Sequence, residues 1–142
     1  MAKTVHILLV EDNEGDIMLT TDAFEEYKIA TTFSVVRNGK MALEYLFKKG
    51  DYQNAIRPDI VVLDINLPFR NGLEVLEIIK SDDTIKFIPV IMLTTSSSKN
   101  DVLQSYAHHA NAFITKPVDV NDFLQAIRSI EDFWLKTIQL PN

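Results

Sequence analysis

Residues 58–64 read Pro58-Asp59-Ile60-Val61-Val62-Leu63-Asp64, an unbroken aliphatic run closed at both ends by acids. A run that short, apolar at every position, is a strand buried on both faces rather than one that alternates between core and water. Val5–Val10 (VHILLV) repeats the pattern and stops at Glu11-Asp12-Asn13. Phe33–Val36, Ile88–Leu93 and Ala112–Ile114 supply three more short apolar runs. Between them, apolar residues recur at helical spacing: Ile17, Met18, Ala23 and Phe24, then Ala42, Leu43, Leu46 and Phe47, then Leu73, Val75, Leu76, Ile78 and Ile79. Val102, Leu103, Tyr106 and Ala107 form a fourth stripe, and Phe123, Leu124, Ile127, Ile130 and Trp134 a fifth. The spacing predicts five strands, each followed by a helix, hence an α/β chain with a mostly parallel sheet covered on both sides. Right-handed crossovers follow.

The chain has 142 residues, 46% of them hydrophobic. That length suits one domain, and such a domain buries about 70% of its unfolded surface without staples. No cysteine is present, which excludes disulfides, thiolate metal sites and cysteine nucleophiles. A net charge of −6 argues against a cationic nucleic-acid face. The first apolar run is too short for a signal peptide or a membrane span, so the expected location is cytoplasmic, with no membrane partner.

Open parallel sheets bind ligands beyond the carboxyl ends of their strands. Those positions hold Glu11-Asp12, Asp64, Thr94-Thr95 and Lys116. Clustered carboxylates at a buried rim repel one another unless a cation offsets them. With only oxygen donors at hand, the cation expected is Mg²⁺, with Mn²⁺ as the alternative. An aspartate beside a metal and a lysine is suited to accept a phosphoryl group. His6, His108 and His109 have no ligand spacing and read as structural or solvated.

At these residues the chain resembles the receiver domain of two-component response regulators. The likeness runs from about Val5 to Ile130 and rests on LLVEDN, PDIVVLD, Asp64-x-x-Leu67-Pro68-x-x-x-Gly72, PVIMLTT and Lys116-Pro117. It implies a flavodoxin-like doubly wound (βα)5 fold with strand order 2-1-3-4-5. It implies that Asp64 is the phosphoacceptor, with Thr94 and Lys116 completing the catalytic set. The metal would be held by Asp12, Asp64 and the backbone carbonyl of Asn66, with Glu11 acting through water. Thr94 and Phe113 would be the switch pair, and Pro68, Gly72 and a cis peptide bond at Pro117 would be structural. Phe113 stands where tyrosine is frequent, so the switch has no hydroxyl of its own. Asn66 and Ser96 would flank the path of the hydrolytic water. The partner implied is a sensor histidine kinase, and the protein itself would not be an enzyme beyond its own phosphorylation and dephosphorylation.

The 48–58 connection, the Leu67-Pro68 turn, the TTSSS stretch and the Phe-Trp-Leu tail look like stand-alone receivers paired with bacterial phytochrome kinases. Residues 1–142 would then be a single receiver domain with no output domain. Residues 129–142 would be a helical tail, and a homodimer would form through it and the face of the fourth helix, fifth strand and fifth helix. Two other readings of the site are a Mg²⁺-dependent phosphohydrolase with an aspartate nucleophile and a degenerate receiver that binds without phosphorylation. The hydrolase reading lacks a second acid in Asp64-Ile65-Asn66, and a flavin module of this topology would find its phosphate repelled by Glu11-Asp12-Asn13-Glu14.

Overall fold

A computed structural model describes residues 4–25, 31–95, 98–130 and 132–134. Five strands alternate with five helices: β1 Val5–Val10, α1 Glu14–Glu25, β2 Thr31–Val36, α2 Gly39–Leu46, β3 Ile60–Leu63, α3 Gly72–Ser81, β4 Val90–Thr94, α4 Lys99–Ala107, β5 Ala112–Thr115 and α5 Val120–Ile130. The strands pair in parallel in the order β2-β1-β3-β4-β5, as expected. The connection after α2 contains a 3₁₀ turn at Gly50–Tyr52.

All residues of β1, β3 and β4 are buried. Alternate side chains enter opposite cores. Leu8, Val10, Val61, Leu63 and Met92 pack with Tyr45, Val75, Leu76 and Ile79 from α2 and α3. Ile7, Leu9, Val62, Ile91 and Leu93 pack with Phe24, Phe123 and Ile127 from α1 and α5. Each such aliphatic chain contributes about 1.5–3 kcal/mol on leaving water. Asn38, Asn71 and Ser98 cap α2, α3 and α4 by accepting from the amides of Met41, Leu73 and Asp101.

β2 starts at Thr31, earlier than its apolar run, because it pairs with β1 along its whole length from Val5↔Thr31 to Val10↔Val36. Thr32 and Ser34, on one face of the strand, turn their hydroxyls to a buried histidine. His6 Nδ1 pairs with Thr32 Oγ1 at 2.6 Å, and Nε2 lies 3.0 Å from both Ser34 Oγ and the Tyr45 hydroxyl. Tyr45 donates to the Ile56 carbonyl at 2.7 Å. Burial holds the His6 imidazole below its ordinary pKa, and Asp59 opposes this in part. His6 is thus a structural knot joining β1, β2, α2 and the connection after it. β4 begins at Val90 rather than at Ile88, and Pro89, which has no N–H, gives only its carbonyl to Val61 N at 2.9 Å.

Candidate functional site

Parallel pairing aligns the ends of β1, β3, β4 and β5 along one edge. Val10 is opposite both Val36 and Leu63, and Thr94 is opposite Thr115. The ladder continues one step past the strands. Glu11 N donates to Val36 O at 3.0 Å, Asp64 N to Val10 O at 3.2 Å, and Lys116 N to Thr94 O at 2.7 Å. The residues that follow β1, β3 and β5 are therefore held by their own backbone at the edge of the sheet.

Glu11, Asp12 and Asp64 each offer a carboxylate oxygen within 4.8 Å of the others. Glu11 and Asp64 are buried and Asp12 is exposed, so the cluster opens to solvent on one side. The Lys116 ammonium reaches into it. It donates to Glu11 Oε1, to Asp16 Oδ2 at 3.0 Å and to Asp64 Oδ2 at 3.2 Å. Glu11 Oε2 accepts from the amides of Asp12 at 3.0 Å and Asn13 at 3.3 Å. Asn66 N donates to Asp64 Oδ1 at 3.2 Å.

Desolvation raises the Glu11 carboxyl to about 7, against the pull of Lys116 and with added repulsion from Asp64. Desolvation alone would lower the Lys116 ammonium, but the hydrogen bonds to Glu11 and Asp16 and the charges of Asp64 and Glu11 hold it above its ordinary value. One ammonium is paired with three carboxylates, and the Asp12 carboxylate stands beside two of them. The remaining negative charge, the hard oxygen donors and the open side suit a small divalent cation that keeps part of its water shell.

Asp16 was not among the residues expected at the site. Its sequence signal is an acid in the first turn of the helix that starts directly after Glu11-Asp12. Thr94 is fully buried at the end of β4. Phe113 lies half-buried against the α2–α3 core, and its N–H donates to the Tyr106 hydroxyl at 3.2 Å. A tyrosine hydroxyl is thus present at β5, supplied by α4 rather than by residue 113.

The expected cis bond is corrected. No described residue has a cis peptide bond, and Lys116–Pro117 is trans. An X-Pro bond prefers trans by about 0.5–1 kcal/mol, and Lys116 reaches its three acidic partners with the bond trans. Ser96, expected beside the hydrolytic water, lies outside the described residues, as do 131 and 135–142 of the tail.

The loop from Asn66 to Asn71 closes against Asp64 and Ile65. Gly72 N and Leu67 N both donate to Ile65 O, at 2.8 and 3.0 Å. A Cβ at Gly72 would overlap the Asp64 carbonyl oxygen and lie 2.7 Å from Ile65 Cα, so only glycine fits there.

This sheet edge, with carboxylates after β1 and β3, a hydroxyl after β4 and a lysine after β5, defines a receiver. The response regulator receiver domain model matches residues 7–128, and the chain belongs to that family. Among curated relatives it is 40% identical over 135 residues to the response regulator Rcp1 of Synechocystis sp., covering 95% of this chain and 92% of that one. It is 38% identical over 137 residues to the probable methanogenesis regulatory protein FilR2 of Methanothrix harundinacea, covering 96% and 87%. Among solved structures, the phosphorylated cyanobacterial phytochrome response regulator RcpA superposes with a TM-score of 0.96 at 44% identity, covering 99% of this chain and all (100%) of that one. The Mn²⁺-bound form of Rcp1 superposes with a TM-score of 0.94 at 39% identity, covering 97% and 99%. The chain is therefore a phosphoacceptor response regulator of the two-component kind, which implies a histidine kinase as its partner. Among the described residues, no helix is long and apolar enough to cross a membrane.

Proposed function

We propose that Asp64 takes a phosphoryl group from the phosphohistidine of a phytochrome-type sensor kinase. The observation that carries this is the placement of the Asp64 carboxylate. It is buried at the end of β3, grouped with Glu11 and Asp12 and 3.2 Å from Lys116 Nζ. An Asp64 oxygen forms a bond to phosphorus while the P–N bond of the donor breaks, and the electron pair of that bond stays on the imidazole. Glu11, Asp12, Asp64 and the Asn66 carbonyl would hold Mg²⁺ or Mn²⁺, which neutralises charge on the transferred phosphoryl. Lys116 leaves its carboxylate partners to donate to one phosphoryl oxygen, and Thr94 donates to another. Phe113 follows Thr94 inward, and the changed face of α4, β5 and α5 is what a downstream partner reads. Asn66 and Ser96 set how easily water reaches the acyl phosphate.

On this reading residues 1–142 act as a single receiver, cytoplasmic, without nucleic-acid binding or further enzymatic activity. Leu103, Tyr106, Val118 and Val120 expose apolar surface on the α4–β5–α5 side, and Phe133 adds to it beside Trp134. That surface supports a homodimer through this face and the tail. The test is incubation with Mg²⁺ and acetyl phosphate, followed by intact mass. One added phosphoryl, lost in Asp64→Asn and on removal of Mg²⁺, is the expected result. No gain returns the degenerate receiver, and turnover of a generic phosphomonoester returns the hydrolase.

A further inference from the structure

Phe69 is 87% exposed at the tip of the loop between β3 and α3. Its φ is +67°, the left-handed region that a bulky side chain rarely occupies. Arg70 N donates to Pro68 O at 2.7 Å across it, which makes Phe69 the centre of a tight γ-turn of the strained hand. Glycine or asparagine would adopt this backbone more readily. The ring thus gains neither burial nor a preferred conformation from its own fold. Strain and an exposed aromatic at one residue beside an acceptor are features of a contact residue.

Phe69 also lies where a protein donor must sit. Gly72 abuts the Asp64 carbonyl, and three residues span at most about 11 Å, so Phe69 stays within that distance of Gly72. An interface of ordinary size covers about 800 Å² per partner, a disc of about 16 Å radius, and one centred on Asp64 includes Phe69. A donor the size of acetyl phosphate does not extend that far. We propose that Phe69 is a docking and specificity residue that inserts into an apolar depression beside the phosphohistidine of the kinase. The inference rests on Asp64 being the acceptor.

The test compares wild type, Phe69→Asn and Phe69→Tyr with two donors, acetyl phosphate and an autophosphorylated cyanobacterial phytochrome kinase. Asparagine tolerates the left-handed backbone, so it removes the ring and keeps the turn. With acetyl phosphate, all three proteins should react within twofold of one another. With the kinase, Phe69→Asn should lose about tenfold or more in kcat/KM, mainly through KM, and Phe69→Tyr should recover most of it. Equal transfer to wild type and Phe69→Asn overturns the inference. So does an equal loss with both donors, which would mark Phe69 as a shaper of the loop, and so does no transfer from this kinase to wild type. Failure of wild type to gain a phosphoryl on Asp64 from acetyl phosphate is a separate result, because it rejects the acceptor reading itself.

Discussion

Substituting Gly72 by alanine separates two opposed effects. On helix propensity alone, Gly72→Ala should stabilise α3 by up to about 1 kcal/mol, because alanine loses less backbone entropy. The structure reverses the sign. The new Cβ would overlap the Asp64 carbonyl oxygen and stand 2.7 Å from Ile65 Cα, and both obstacles are backbone. No side-chain rotation relieves them, so α3 or the Asp64–Ile65 peptide must move. Overpacking of this kind costs about 1–3 kcal/mol, and the rigid obstacle places it at the upper end. Net of the helix gain, we expect a loss of about 2 kcal/mol. With a urea slope near 2 kcal/mol/M, the unfolding midpoint falls by about 1 M. Moving the Asp64 peptide also misplaces the carboxylate proposed to attack phosphorus, and a shift of about 1 Å lowers the rate roughly 100-fold. Urea denaturation followed by circular dichroism, with acetyl phosphate labelling in parallel, reads both effects. A variant at least as stable as wild type that labels at the same rate would refute the reasoning.

Lys116→Met should cost the metal-free protein about 3 kcal/mol at pH 8, since it strands buried Glu11 and Asp64 without their cation, and added Mg²⁺ should recover part of it in thermal melts. An unchanged midpoint would show that the ammonium does not offset those charges. Glu11 has a folded pKa of about 7, raised above the ordinary 4.5 of a glutamate by burial. Its contribution to stability is therefore full below about pH 4.5 and is lost as pH rises through 7, on the order of 3 kcal/mol. In metal-free protein Glu11→Gln should flatten that window in denaturation curves. Mn²⁺ titration of wild type should be about tenfold weaker at pH 6 than at pH 8, because binding must release the Glu11 proton. Tyr45→Phe should cost about 1–2 kcal/mol by leaving the Ile56 carbonyl and His6 short of a partner. A urea midpoint equal to that of wild type would rule this out.

The strand runs were legible because burial on both faces leaves an uninterrupted aliphatic signature at Val5–Val10 and Ile60–Leu63. Glu11, Asp12, Asp64, Thr94 and Lys116 were legible because they end or follow strands whose ends a parallel sheet must align. Thr31 and Thr32 were missed as strand because they are polar; the Thr32 hydroxyl is buried against His6, a contact 26 residues away in sequence. Asp16 was missed for a similar reason. Its acid partners precede it by a few residues, but the cation it binds lies 100 residues on. The left-handed backbone at Phe69 was hidden because the residue there is not one that favours it.

The backbone bonds from Glu11, Asp64 and Lys116 to neighbouring strands have a consequence for how such a site can change. An amide donates equally well whatever side chain it carries. At these three positions, therefore, chemistry can be erased or rewritten without redrawing the scaffold, and a neutral or inverted site is a few codon changes away. Gly72 is the opposite case, since its lack of a side chain is itself what lets the Asp64–Ile65 backbone stand where it does. The molecule thus divides into positions open to reprogramming and at least one that locks the frame around them.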